Sequence, residues 1–322
     1  MAVKICGTGS CIPKSQVTND DLSLIMDTSD EWIKSRTGIE SRHLAKDETT
    51  TSMSVEAAKQ AMEQANIQPE EIDLIVAATL TPDNILPTLS CEIQRELGAV
   101  NATAFDIGAA CSGFLFSLNT AYAYIKSGLY KNVLVVGAEV LSKVMDWNDR
   151  ATCVLFGDGA GAAIVRDMPG EDGILGIFQG SDGSKGMALA LSGRKVNNPC
   201  IKNEDTLSYV KMNGQEVYKF AVKTVPQAIY SAAKQANVEI EEIDYFLLHQ
   251  ANIRIIESVA KRLNQPLEKF PTNLEQCGNM SAASVPVLLD WVNKEGKLKK
   301  GDKIVLAGFG AGLTWGAAVL IW

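Results

Sequence analysis

The chain has 322 residues, a net charge of −8 and two histidines. That charge argues against a general nucleic-acid binder, and two histidines all but exclude a histidine-rich metal centre. Seven cysteines form no CxxC pair and are odd in number, which fits a reducing compartment better than a disulfide framework. No leader pattern opens the chain and no apolar run is long enough to span a bilayer, so the sequence reads as a soluble, cytoplasmic protein without a metal.

His43 comes early, in the charged stretch Glu40-Ser41-Arg42-His43, with no apolar strand to deliver it to a cleft; it reads as structural or solvated. Gln64-Ala65-Asn66 followed by Glu70-Glu71-Ile72-Asp73 then begins a pattern of helix, acidic turn and buried strand. The same pattern returns as Gln235-Ala236-Asn237 and Glu241-Glu242-Ile243-Asp244, an offset of 171 that Gly137 and Gly308 share. The repeat predicts two similar α/β halves, 1–170 and 171–322, each a mostly parallel sheet covered by helices. Ala78 holds the place of His249 in the first copy. If the halves pack about a pseudo-twofold axis, one complete site forms where they meet.

Cys111 stands where the strand-like run Ala104–Ile107 breaks at Gly108 and a helical pattern of Phe114, Leu118, Tyr122 and Ile125 begins. A helix N-terminus favours thiolate over thiol; the alternative is a buried, inert cysteine. Gly157-Asp158-Gly159-Ala160-Gly161 looks like a phosphate loop, yet a strand-like run follows it where a dinucleotide site needs a helix. It reads as a tight strand connection. His249 ends the buried run Tyr245–Leu248, a usual place for chemistry in α/β proteins. Arg254, Lys261 and Arg262 lie along the following helix, as a basic patch or a solvated face. Asn279 occupies a turn before another helix, where an amide either caps the turn or projects toward ligand. Gly308–Gly312 precedes the last strand and offers backbone N–H groups for an oxyanion.

With these residues placed, the chain closely resembles the β-ketoacyl-acyl carrier protein synthase III family. The likeness rests on Trp32–Ile39, Ala109–Phe114, Phe156–Ala163, His249–Asn252 and Gly278-Asn279 with Ser281–Ser284. It implies a thiolase-like αβαβα sandwich of two duplicated halves, usually a homodimer. It also implies transfer of a short acyl group from CoA to Cys111, then decarboxylative condensation with malonyl on acyl carrier protein, the initiating step of fatty-acid synthesis. Neither a cofactor nor a metal is required. By this resemblance Cys111, His249 and Asn279 are catalytic, and backbone groups of Cys111, Gly310 and Ala311 form the oxyanion hole. CoA falls to Thr28, Trp32, Arg36, Arg150 and Asn252, with Trp32 and Arg150 sandwiching the adenine.

Taken singly, Trp32 also suits a core or surface anchor, and Arg150 an ion pair with Asp146 or Asp149. Trp147 is a rival for the adenine. Carrier protein is assigned to Gln250, Ala251, Asn252, Ile253, Arg254, Lys219, Lys261 and Arg262. Leu86 stands where the family often has a phenylalanine reaching the acyl pocket of the neighbouring subunit. Two local departures are Cys277 before Gly278, and Ala311 where many members have a third glycine. A secondary-metabolite condensing enzyme with an unusual acyl-CoA is the near alternative. A Cys, His and Asn hydrolase and a non-catalytic scaffold are more distant ones.

Overall fold

The computed structural model describes residues 2–170, 173–204 and 208–322. Its first half opens with β1 (Ala2–Cys11), followed by a small hairpin-like pair, β2 (Gln16–Thr18) and β3 (Ser41–His43), which brackets α1 (Asn19–Ser23) and α2 (Asp30–Thr37). Helix α2 starts where the Ser29 hydroxyl accepts the Trp32 N–H, and it stops at Gly38, whose φ of 81° suits a residue without Cβ. Helix α3 (Thr50–Ala65) leads to β4 (Leu74–Ala78), then α4 (Leu89–Leu97), β5 (Thr103–Ile107), α5 (Gly113–Lys126), β6 (Asn132–Glu139) and β7 (Gly159–Met168).

The second half runs through β8 (Ile174–Ser181), the short pair β9 (Leu189–Ala190) and β10 (Lys211–Met212), α6 (Gly214–Ala236) and β11 (Tyr245–Leu248). It closes with α7 (Ile253–Leu263), α8 (Leu274–Cys277), α9 (Ser284–Lys294), β12 (Lys303–Gly310) and β13 (Thr314–Ile321).

Two sheets result, ordered β1-β7-β6-β4-β5 and β11-β12-β13-β8. Both are mixed. Parallel pairing is confined to β4 with β5 and β6, and to β11 with β12; β7 and β13 run antiparallel to both of their neighbours. The parallel share is thus smaller than the repeat predicts, because β1, β7, β8 and β13 form antiparallel ladders.

Layering follows from where the apolar faces point. Helices α5 and α9 lie between the sheets, with Phe114, Leu118, Val285 and Leu289 packed against Val76, Val135 and Leu306. Helices α3 and α4 cover the outer face of the first sheet, and α6 and α7 that of the second, giving αβαβα. A strand such as Leu-Ile-Val-Ala-Ala in β4, buried at every position, is what a sheet covered on both faces requires. Full burial of a Phe114 or Leu118 side chain contributes about 2 kcal/mol. Contact between the layers is close enough to dictate glycine: a Cβ at Gly137 would lie 2.2 Å from the Ala282 carbonyl oxygen.

The duplication extends to backbone detail. Strand β12 lies 171 residues after β6, and α9 begins 171 after α5. A 3-10 turn precedes each central helix, Ala110–Ser112 and Ser281–Ala283, entered through left-handed residues Ala110 (φ 46°) and Ser281 (φ 48°). His43 is structural, with its Nδ1 2.6 Å from the Pro13 carbonyl oxygen. Among the described residues no helix is long and apolar enough to cross a membrane, and no group of three or more His, Cys, Asp or Glu side chains could hold a metal ion.

Candidate active site

Cys111 sits in the turn between β5 and α5, 7% exposed. The neighbouring Ser112 hydroxyl donates to the Ala109 carbonyl at 2.8 Å and lies 2.7 Å from the Thr314 hydroxyl, which in turn donates to the Ala311 carbonyl. These hydrogen bonds tie the Cys111 turn to the β12–β13 connection. The end of β12 comes so close that a Cβ on Gly310 would stand 2.7 Å from the Cys111 nitrogen. Glycine is therefore the residue that lets backbone from the second half reach Cys111. The helix terminus does not by itself yield a thiolate. Burial pushes the Cys111 thiol up to about 12, opposed by hydrogen bonding to Ser281 and reinforced by the charge of Glu139.

His249 follows β11, its backbone N–H donating to the Ala307 carbonyl at 2.8 Å. Its ring meets Phe309 edge-on at 5.3 Å, and Nδ1 is buried with no hydrogen-bond partner among the described residues. Burial lowers the imidazole to about 3, so it is neutral at neutral pH. Asn279 is both turn and site residue. Its backbone N–H donates to the Leu155 carbonyl and its carbonyl accepts from Gly157, while Oδ1 accepts the Ser281 N–H at 2.8 Å. With Oδ1 engaged, the amide NH2 is the end left for a ligand.

The glycine-rich stretch that resembled a phosphate loop serves this packing instead. A Cβ at Gly157 would lie 2.3 Å from the Cys277 carbonyl oxygen, and buried Asp158 accepts from Ser142 and the Ala45 N–H.

One cavity of about 620 Å³ is lined by Cys111, His249, Asn279, Phe309 and Gly310 together with Trp32, Arg36, Asn252 and Arg254. The guanidinium groups of Arg36 and Arg150 lie 4.7 and 5.2 Å from the Trp32 ring centre, an arrangement suited to a flat cationic clamp. Arg150 pairs with Asp27, not with Asp146 or Asp149. Thr28 and Arg150 lie outside the cavity lining, although the Thr28 hydroxyl is buried and has no partner among the described residues. Trp147 packs into the apolar cluster around Leu22, Ile33 and Met145. Asn252 caps α7 by accepting the Arg254 N–H, and its NH2 donates to the Arg36 carbonyl.

The residues assigned to a carrier partner separate into two groups. Gln250 is fully buried, donating to the Leu248 carbonyl and accepting from the Asn273 N–H, so its assignment to a protein contact is corrected: it braces the His249 loop. Ala251, Asn252 and Ile253 are half-buried, whereas Arg254, Lys261, Arg262 and Lys219 are exposed. Arg254 donates to the Ser35 carbonyl at 2.6 Å beside the cavity; Lys261 and Arg262 lie in the last turn of α7, about 10 Å further along its axis. Leu86 is 81% exposed and lines no part of the cavity in its own chain. The site also contains residues that the sequence reading missed: Phe309 against His249, Ser281 beside Cys111 and the buried Glu139. The offset of 171 from Gly310 was the signal available for Glu139.

A buried cysteine and two neutral hydrogen-bonding side chains on one cavity, carried by two duplicated halves with an αβαβα layering, define a thiolase-fold acyltransferase. The description "3-Oxoacyl-[acyl-carrier-protein (ACP)] synthase III" matches residues 105–183, and its C-terminal counterpart matches residues 233–322. The chain is 51% identical to a β-ketoacyl-[acyl-carrier-protein] synthase III of Clostridium acetobutylicum, over 100% of this chain and 99% of the relative. Among solved structures, the 3-oxoacyl-[acyl-carrier-protein] synthase III of Aquifex aeolicus VF5 superposes with a TM-score of 0.93 at 46% identity, covering 100% of both chains. The priming β-ketosynthase of the R1128 polyketide pathway also reaches 0.93, at 37% identity over 99% of this chain and 96% of its own. The chain belongs to the β-ketoacyl-acyl carrier protein synthase III family, the acyltransferases of the initiating condensation in fatty-acid biosynthesis.

Proposed function

We propose that this enzyme condenses a short acyl-CoA primer with malonyl-acyl carrier protein, giving 3-oxoacyl-acyl carrier protein, CoA and carbon dioxide. The observation that carries the reading is the single cavity joining Cys111, His249 and Asn279 to Trp32 and Arg36. Cys111 sulfur attacks the thioester carbonyl, the C–S bond to CoA breaks, and the cysteine proton ends on the departing CoA sulfur. N–H groups of Cys111 and of the Gly310-Ala311 turn stabilise the tetrahedral oxyanion. Malonyl then loses carbon dioxide. The electron pair left behind passes to the thioester oxygen as an enolate, held by N–H groups of neutral His249 and Asn279. The enolate carbon attacks the acyl-cysteine, the C–S bond to Cys111 breaks, and the departing thiolate takes up a proton from water to restore the thiol. Uncharged donors suit this step, since a carboxylate would repel the developing negative charge. The reaction uses no cofactor beyond the CoA thioester.

Trp32, Arg36 and Arg150 bind the nucleotide end of CoA, with Thr28 on the adenine edge and Asn252 beside the pantetheine. Exposed Arg254, with Lys219, Lys261 and Arg262 beyond it, receives the acidic carrier protein. The protein acts as a homodimer in which Leu86, exposed beside the equally bare Ile85, reaches the partner's acyl pocket. All seven cysteines are free thiols, which supports a cytoplasmic location.

A panel of acetyl-, butyryl- and isobutyryl-CoA with malonyl carrier protein, read by product mass, tests the reading. Release of free acid without a new carbon-carbon bond would overturn it, and preference for malonyl-CoA as extender would favour a secondary-metabolite role. Leu86→Phe narrows the range toward acetyl; unchanged relative rates remove Leu86 from the pocket.

A further inference from the structure

Arg42 is the largest fully buried side chain among the described residues, and it enters none of the steps above. It projects from the middle of β3, and its fork donates to two carbonyls: Nη1 to Val17 at 3.2 Å and Nη2 to Val154 at 2.7 Å. Nε has no partner, and no carboxylate pairs with the group, among the described residues. Taking a guanidinium out of water without a counter-ion is costly, so holding two carbonyls does not by itself account for it. What it adds is a rigid planar fork that fixes two donors in one geometry.

The two carbonyls are far apart in sequence. Val17 lies in the adjacent strand β2, whereas Val154 lies in the 3-10 turn Cys153–Leu155, 112 residues from Arg42. That turn leads into the seat of Asn279. The Asn279 N–H donates to the Leu155 carbonyl at 2.8 Å and the Gly157 N–H donates to the Asn279 carbonyl at 3.0 Å, so Phe156 and Asn279 form a parallel bridge. On the other side, the Glu40 N–H donates to the Glu275 carbonyl at 2.8 Å and the Ser41 hydroxyl to the Gln276 carbonyl at 3.2 Å, which holds the approach to Asn279 against β3. The Arg42 stem fills the seam between these segments: a Cβ would stand 3.2 Å from Arg42 Cβ if placed on Gly157, and 3.4 Å if placed on Gly278. With its backbone on Leu155 and Gly157 and its Oδ1 on the Ser281 N–H, Asn279 follows wherever this seam is set.

We propose that Arg42 is a positioning residue for Asn279: its guanidinium pins the Cys153–Gly157 segment to the β2–β3 pair, and through that segment fixes where the Asn279 NH2 enters the cavity. Arg42 itself lines no part of the cavity, whereas Val154, Leu155, Phe156 and Asn279 all do. The effect falls on condensation and spares acyl transfer, because Cys111 is held by other contacts, through Ser112 to Thr314 and against Gly310.

The proposal rests on Asn279 as an enolate donor, and a double-mutant cycle separates the two. Arg42→Lys keeps the charge and the stem and loses the fork. Acylation by acyl-CoA and condensation of the preformed acyl-enzyme are timed separately by mass, with rates referred to the Cys111 that takes up acyl group, so that an unfolded fraction lowers the count and leaves the rate. Arg42→Lys acylates within about twofold of the parent and condenses about ten- to a hundredfold more slowly, the scale of a misplaced group. In an Asn279→Ala background the same substitution slows condensation no further, since the group it positions is gone. A role in stability alone would instead slow both steps or add its loss to that of Asn279→Ala, and either result overturns the proposal. Loss of condensation in Asn279→Ala with a parental rate in Arg42→Lys overturns the proposal alone; a parental rate in Asn279→Ala overturns the reading of Asn279 and the proposal with it. Arg42→Met, which keeps an unbranched stem without the charge, carries the same expectations if the lysine variant does not fold.

Discussion

The turns Ala110–Ser112 and Ser281–Ala283 are one piece of backbone used twice, alike in left-handed entry and in the helix that follows, yet Cys111 stands in one and Ala282 in the other. The neighbours differ in step. At the same offset His249 answers to Ala78, Asn279 to Gly108 and Gly310 to Glu139. One junction thus gathers a cysteine, a histidine, an asparagine and a glycine that admits them; the other gathers small side chains and a carboxyl. Duplication supplied two frames, and the cavity lies where Cys111 of the first half meets His249 and Asn279 of the second.

The comparison breaks most completely at the nucleophile. Cys111→Ala abolishes acyl-enzyme formation from acyl-CoA, measured by intact mass, and Ala282→Cys added to it does not restore labelling, because the companion turn lacks His, Asn and glycine. Labelling at position 282 would show that the frame alone suffices.

Next come the donors. His249→Ala and Asn279→Ala keep acyl-enzyme formation and lose about 10²- to 10³-fold in condensation, the scale of removing one oxyanion donor. Condensation by Asn279→Ala at the parental rate would remove Asn279 from that role.

His249 and Ala78 also differ in what burial costs. His249 is held near 3 against an ordinary 6.5, so as pH falls below 6.5 the unfolded chain gains a proton that the folded chain refuses. Stability is therefore lost between about 6.5 and 3, on the order of a few kcal/mol at the acid end. His249→Asn flattens that part of the curve, as read from urea midpoints at pH 7 and pH 4.5. Equal midpoint losses in parent and variant would contradict a neutral buried imidazole.

The smallest effect lies at the surface. Arg254→Glu raises KM for malonyl carrier protein several-fold and spares acyl transfer to Cys111, and added salt weakens the parent's carrier step, since exposed charges are screened within about 8 to 10 Å. Equal damage with malonyl-CoA as extender would place Arg254 in the cavity's own machinery, where it already touches Ser35.

Much of this site was legible from local pattern. A strand breaking into a helix marked Cys111, a buried run marked His249, and a fixed offset marked the two halves; all three depend on residues close in sequence or on copied spacing. Tertiary structure decided what depends on distant neighbours. Gln250 looked like a surface residue beside His249, but it is buried because Asn273 and Leu248 satisfy its amide. Arg150 found Asp27, 123 residues away, over the carboxylates beside it in sequence. The helix terminus promised a thiolate, yet the second half closing over Cys111 removes water and pushes the thiol up instead. Glu139 reads in sequence as the polar end of a strand; its carboxyl is buried because the hydroxyls of Thr81 and of Ser281, 142 residues on, donate to it. Periodicity and spacing determine which elements form, whereas desolvation and hydrogen-bond partnership are properties of what the completed fold brings alongside.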